Sequence, residues 1–184
     1  MFSGTGFKGM RRTVITVSAA LTMGIGAAAW AASSASAAPA APAAIPRCQA
    51  GDLGVWVNAD SEDGAAGHQY FHMDFTNLTH HTCYLDGYPG VSAVNLSEKQ
   101  IGAAARQDPV APAKVIDIAP DATAHATFSY VDVVVDPTCK PTTPALLKVY
   151  PPDDRGAAHA FFDLPVCAKA SVTDLEVARV QAGV

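Results

Sequence analysis

Positive charge is scarce in this chain beyond its first dozen residues. Lys8, Arg11 and Arg12 account for three of the 12 Lys and Arg, and no acid precedes Asp52. Residues 38–184 therefore carry nine basic against 17 acidic side chains, a formal charge of −8. Nucleic acid and anionic membrane surfaces both demand basic patches, so neither is expected as a partner. Helical periodicity is also missing. No stretch beyond residue 38 places apolar residues at i, i+3, i+4 and i+7 through three turns, which excludes a helical core. Catalytic and cofactor motifs are absent as well: there is no H-E-x-x-H, P-loop or G-x-G-x-x-G. Gly90-Val91-Ser92-Ala93-Val94 lacks the second glycine of a nucleophile elbow. No C-x-x-C spacing occurs, so the cysteines do not read as a zinc site. No cofactor is expected.

The N-terminus is read first as a targeting segment. A basic start is followed by an uncharged run, Thr13 to Trp30, and then by Ala35-Ser36-Ala37. This is the order of a secretory signal peptide with an A-x-A cleavage site, expected over residues 1–37. A retained anchor is the competing reading, since about 18 apolar residues can span a bilayer, but the run is rich in Gly and Ala. The Arg11-Arg12 pair leaves the export route, general or twin-arginine, open. Residues 38–47 form an Ala/Pro linker, and one domain is expected over 48–184. All four cysteines, Cys48, Cys83, Cys139 and Cys167, lie in that domain. An even count in an exported chain implies two disulfides and no free thiolate nucleophile. Three connectivities exist. Sequential pairing, Cys48–Cys83 and Cys139–Cys167, is favoured because each bridge then ties one hairpin-scale unit.

What the domain has in abundance is alternation. Leu53, Val55 and Val57 alternate with Gly54, Trp56 and Asn58. Phe71, Met73 and Phe75 alternate with Tyr70, His72 and Asp74. Ala122, Ala124, Ala126, Phe128 and Tyr130 share one face, and Thr123, His125, Thr127 and Ser129 the other. A period of two marks strands with one buried and one wet face. Shorter candidates are Val91–Leu96, Lys99–Ala105, Lys114–Ile118, Leu146–Tyr150, Ala157–Leu164 and Val172–Val180. Turn-rich segments such as "EDGAAG", "DPTCKP" and "PPDDRG" separate them. Eight or nine short strands at this spacing predict an all-β, immunoglobulin-like antiparallel β-sandwich. A closed barrel is the alternative. No tryptophan lies between Cys83 and Cys139, so the usual inter-sheet marker is not met.

Candidate site residues follow from the faces. Trp56 and Tyr70 fall opposite the expected core, and Tyr84 and Tyr88 sit in "HTCYLDGYPGVSAV". Exposed rings of this kind stack on sugars or anchor protein partners. Four of the six histidines fall within His68–His81. His68 and His72 share a strand face about 13 Å apart, too far to clamp one metal. His72, Asp74, His80 and His81 would converge only in a fold-back, as a weak zinc or copper site. His125 and His159 show no visible partner. Asp132, Asp136, Asp153 and Asp154 read as solvated loop acids, although scattered carboxylates leave a hydrolase open. Asn77-Leu78-Thr79 and Asn95-Leu96-Ser97 match the glycosylation acceptor pattern and are read as turns. The Pro89-Gly90 step is read as a type II turn within a corner stapled by Cys83.

A cysteine before an alternating strand, then "DGAAGHQYFHMDFTN", "TCYLDGYPGV", "APDATAHATFSYVDV", "LKVYPP" and a last cysteine, resembles the secreted actinobacterial domain-of-unknown-function family 4232. The resemblance spans about Cys48 to Val180. It implies export and a compact β domain, and it supplies no activity and no catalytic residue. The family often has Pro-Gly where this chain has Pro120-Asp121, a change that a type I turn tolerates. The expected function is a secreted, monomeric, non-catalytic module that binds cell-wall glycan or a secreted protein. A carboxylate hydrolase and a weak metal binder are the alternatives.

Overall fold

The computed structural model describes residues 43–65, 67–133 and 137–183. The expected signal peptide, the first half of the linker and Asp136 lie outside the described residues. A 3-10 turn, Ala50–Asp52, opens the domain. Its Asp52 side chain accepts the Gln49 N–H at 2.9 Å, which sets the chain up to enter the first strand.

Thirteen strands follow among the described residues. They are β1 (Leu53–Ala65), β2 (His68–Asn77), β3 (Cys83–Leu85), β4 (Gly90–Val94), β5 (Gln100–Ala104), β6 (Arg106–Asp108) and β7 (Ile116–Ile118). Then come β8 (Thr123–Val131), β9 (Pro141–Thr142), β10 (Leu146–Tyr150), β11 (Ala158–Phe161), β12 (Val166–Cys167) and β13 (Leu175–Ala182). No α-helix occurs among the described residues. A five-stranded sheet runs β1-β2-β8-β13-β6, and a four-stranded sheet runs β11-β10-β4-β5. Two-stranded pieces, β12-β9 and β3-β7, close the ends.

The core joins the two larger sheets, as a sandwich requires. Phe71, Met73, Phe75, Ala124, Ala126 and Phe128 come from the first, and Val91, Ala93, Leu147 and Val149 from the second. The positions from the first sheet are those that alternation assigned inward. Phe162 ties the core at one end, with its ring edge-on to Phe128 at 5.5 Å and to Phe71 at 6.5 Å. The strand count exceeds eight or nine because β3, β6, β9 and β12, of two or three residues each, fall outside the expected strands. The sheet is also not wholly antiparallel, since β6 adds to β13 in parallel.

The disulfides pair sequentially: Cys48 with Cys83 and Cys139 with Cys167. The corner at "HTCYLDGYPGVSAV" departs from the expected turn. Gly90 already belongs to β4 and has no positive φ; the left-handed residue is Gly87, with φ +117°. The Gly87 carbonyl accepts the Val180 N–H at 3.0 Å, which fastens the corner to a bulge in β13 between Val177 and Val180.

The Pro120-Asp121 turn also differs from expectation. Asp121 has φ +60°, whereas the third position of a type I turn needs about −90°. With proline before it, the turn is of type II.

Candidate functional site

The outer face of the five-stranded sheet carries the densest set of polar and aromatic side chains. Register explains the set. Trp56 on β1 stands opposite Asp74 on β2, Asp74 opposite His125 on β8, and His125 opposite Gln181 on β13. The next row sets Asn58 opposite His72 and His72 opposite Thr127. Directly opposed side chains in such rows lie within contact reach.

The geometry follows from these rows. The His72 and His125 rings stack with centroids 4.2 Å apart and 21° between planes. Asn58 Nδ2 donates to Asp74 Oδ2 at 3.1 Å. Asp74 is buried, with 8% of its surface exposed, whereas Trp56 keeps 41%. The Thr76 and Thr123 hydroxyls share a hydrogen bond of 2.6 Å. A shallow groove of about 500 Å³ results, lined by Trp56, Asn58, His72, Asp74, Thr123 and His125. Burial pushes the His125 imidazole down from its usual value, the neighbouring His72 adds to this, and Asp74 opposes both. His125 is thus held neutral, able to donate from one ring nitrogen and accept at the other.

The remaining predicted residues do not join this groove. Tyr70 faces the same side of β2 but stacks on His68, with centroids 6.1 Å apart. Its register partner on β8 is Ser129, two rows or about 13 Å along the strand from the Asp74 row. The Tyr84 ring lies under the Arg47 guanidinium at 4.9 Å, and the Tyr88 ring under Arg179 at 4.5 Å. Each half-buried tyrosine therefore has a cation over one face and serves to seat a local corner. His80 and His81 are exposed in the turn beyond Asn77, where the His81 carbonyl accepts the Asn77 side-chain amide at 2.8 Å. Among the described residues no group of three His, Cys, Asp or Glu side chains is disposed to hold a metal ion. His72, Asp74, His80 and His81 thus do not form a ligand set. The fold-back that would unite them does not occur, because β2 runs straight on to Asn77 and is paired on both sides.

Three residues that looked idle have structural work. His125 finds His72. His159 Nε2 lies 3.3 Å from Glu98 Oε1, and Glu98 also holds Lys148 at 2.9 Å. Asp154 is no solvated loop acid: its carboxylate accepts the Ala50 N–H at 2.7 Å and the Gly156 N–H at 3.0 Å. These backbone donors, Gly156 first, pull its carboxyl below the usual range. One buried polar group escaped the sequence reading altogether. Gln69 faces inward on β2, and its side-chain oxygen is buried with no partner. The signal was available, as a glutamine on the face of Phe71, Met73 and Phe75.

No curated protein and no solved structure matches the chain. The model of one family does match, over residues 48–182, from the first disulfide cysteine to the last strand of the sheet that bears the groove. The chain belongs to that family, described as a domain of unknown function (DUF4232).

Proposed function

We propose that this chain is a secreted, non-catalytic binding module whose outer sheet face takes a glycan of the cell envelope. The observation that supports this most is the exposed Trp56 heading the row Trp56–Asp74–His125–Gln181. A sugar ring presents an apolar face of C–H bonds and an edge of hydroxyls. An indole matches the face and supplies large, rigid contact area. A carboxylate and the neutral His125 imidazole match the edge, since they accept and donate hydrogen bonds without demanding a charged ligand. The groove is open and shallow, which suits a segment of polymer lying across the sheet. Two disulfides agree with an oxidising location.

Retention of the mature domain on purified insoluble cell-wall glycan tests this reading. Trp56→Ala is expected to weaken retention at least about tenfold, the equivalent of about 1.4 kcal/mol. Tyr88→Ala is expected to retain binding, because Arg179 already covers that ring. Equal retention of wild type and Trp56→Ala would refute the proposal.

A further inference from the structure

We infer a second, apolar ligand site in the cleft between the edge strands of the two sheets, independent of the Trp56 groove. β1 ends the five-stranded sheet and β11 ends the four-stranded one. Between them, and in the segment just after β11, lies a cleft of about 370 Å³ lined by Val57, Gln69, Phe71, Phe161, Phe162 and Leu164. This is within the range of about 300–1,000 Å³ typical of small-molecule sites.

Three observations define the ligand. The floor is aromatic: Phe71 and Phe162 lie edge to face at 6.5 Å, and both are buried. The lip is aromatic too, since Phe161 leaves 71% of its surface exposed beside the cleft. A phenyl ring left in water at the mouth of an apolar cleft gains by closing over an apolar guest. The third is polar. Gln69 lines this cleft, and its Oε1 is shielded from water and has no hydrogen-bond partner; turning the terminal amide about its soft last torsion would present that oxygen to a guest. A buried acceptor left unmade is costly, and a glutamine on an inward face is otherwise a poor choice for a core. A guest with one N–H or O–H donor on an apolar body satisfies both features. Asp163 also lines the cleft, which disfavours anionic guests such as fatty acids. The class is a small, neutral, largely aromatic or alicyclic molecule with a single donor.

N-phenyl-1-naphthylamine has this form, with one N–H between two aromatic groups, and its fluorescence rises when it leaves water. Titrated into the full-length domain, it is expected to bind saturably with one site. Gln69→Leu removes the acceptor but keeps an apolar wall, so it is expected to fold at least as well and to bind about tenfold more weakly, the loss of one hydrogen bond. Phe161→Ala changes an exposed residue and is expected to weaken binding several-fold, through lost apolar cover. Trp56→Ala is expected to leave probe affinity unchanged even if it abolishes glycan retention, so the two sites fail separately. No saturable signal, undiminished binding by Gln69→Leu, or loss of binding in Trp56→Ala would each overturn the assignment.

Discussion

Asn77 closes β2 with no exposed surface and a fully engaged side chain. Its Nδ2 donates to the carbonyls of His81 at 2.8 Å and Ile118 at 2.9 Å. Its Oδ1 accepts the Thr79 N–H at 2.9 Å and the Thr79 hydroxyl at 2.8 Å. The acceptor triplet Asn77-Leu78-Thr79 is therefore a structural turn with its amide inaccessible to modification in the folded state. Asn77→Ala strands the Ile118 carbonyl and the Thr79 N–H, while the Thr79 hydroxyl still donates to the His81 carbonyl at 3.0 Å, so it is expected to cost about 2–3 kcal/mol in urea unfolding; a loss below about 1 kcal/mol would show that these bonds are replaceable. His125 gives a pH signature. Its folded pKa lies below the ordinary 6.5, so the unfolded chain binds the proton more readily than the folded one. The stability from neutral His125 is complete above pH 6.5 and falls as pH drops through that value toward the lowered folded one. Acidification from about pH 7 to 5 is thus expected to destabilise wild type more than His125→Gln. Identical pH dependence in the two proteins, measured by urea midpoints, would contradict this.

At the scale of elements, two proline turns share one device. Ala119 O accepts the Ala122 N–H at 3.0 Å around Pro120-Asp121, and Pro151 O accepts the Asp154 N–H at 3.0 Å around Pro152-Asp153. Asp121 and Asp153 take φ +60° and +57°, a region where a Cβ is unfavourable and glycine is not. Asp121 is exposed and its backbone N–H donates to the Asn77 carbonyl at 2.9 Å, an interaction any residue keeps. Asp121→Gly is expected to stabilise by about 0.5 kcal/mol, relief of left-handed strain offset in part by unfolded-state entropy. A lower urea midpoint for Asp121→Gly would refute it. These turns also mark what sequence could and could not reveal. β1, β2 and β8 were legible because Leu53–Asn58, Tyr70–Thr76 and Ala122–Tyr130 each alternate. β3, β9 and β12 were not, because two or three residues define no period. Trp56 was legible as an outward ring from its own strand. Its partner His125 was not, since β2 and β8 meet only through a register that local pattern does not encode. Tyr84 and Tyr88 looked free because the arginines that cover them, Arg47 and Arg179, arrive from other segments.

For the whole molecule, the disulfides sit at opposite kinds of place, and this orders their chemistry. Cys48–Cys83 is fully buried and reinforces a backbone clasp. Cys48 N–H donates to Tyr84 O at 2.9 Å, and Tyr84 N–H donates to Pro46 O at 2.9 Å. The bridge thus fixes the domain's entry segment against β3, whose other side pairs with β7. Cys139–Cys167 joins the short β9-β12 ladder at the sheet margin, and Cys139 is only half-buried. Sequence separations of 35 and 28 residues give similar loop-closure gains, about 4 kcal/mol each in the chain-entropy model. Loop length therefore does not distinguish them, but access does, because exchange needs a thiolate to reach a sulfur. Graded reduction under native conditions, with alkylation and peptide mass mapping, is expected to label Cys139 and Cys167 first. Cys48 and Cys83 should react only where global unfolding begins. Gly102 adds to this difference. It sits at φ +69° where an added Cβ would collide with the Cys167 carbonyl, so β5 presses on the backbone beside the second bridge and keeps Cys167 covered. Attack must then come from the Cys139 side. Labelling of Cys48 and Cys83 before Cys139 and Cys167 would contradict the burial argument and place the first opening of the fold at its N-terminal clasp.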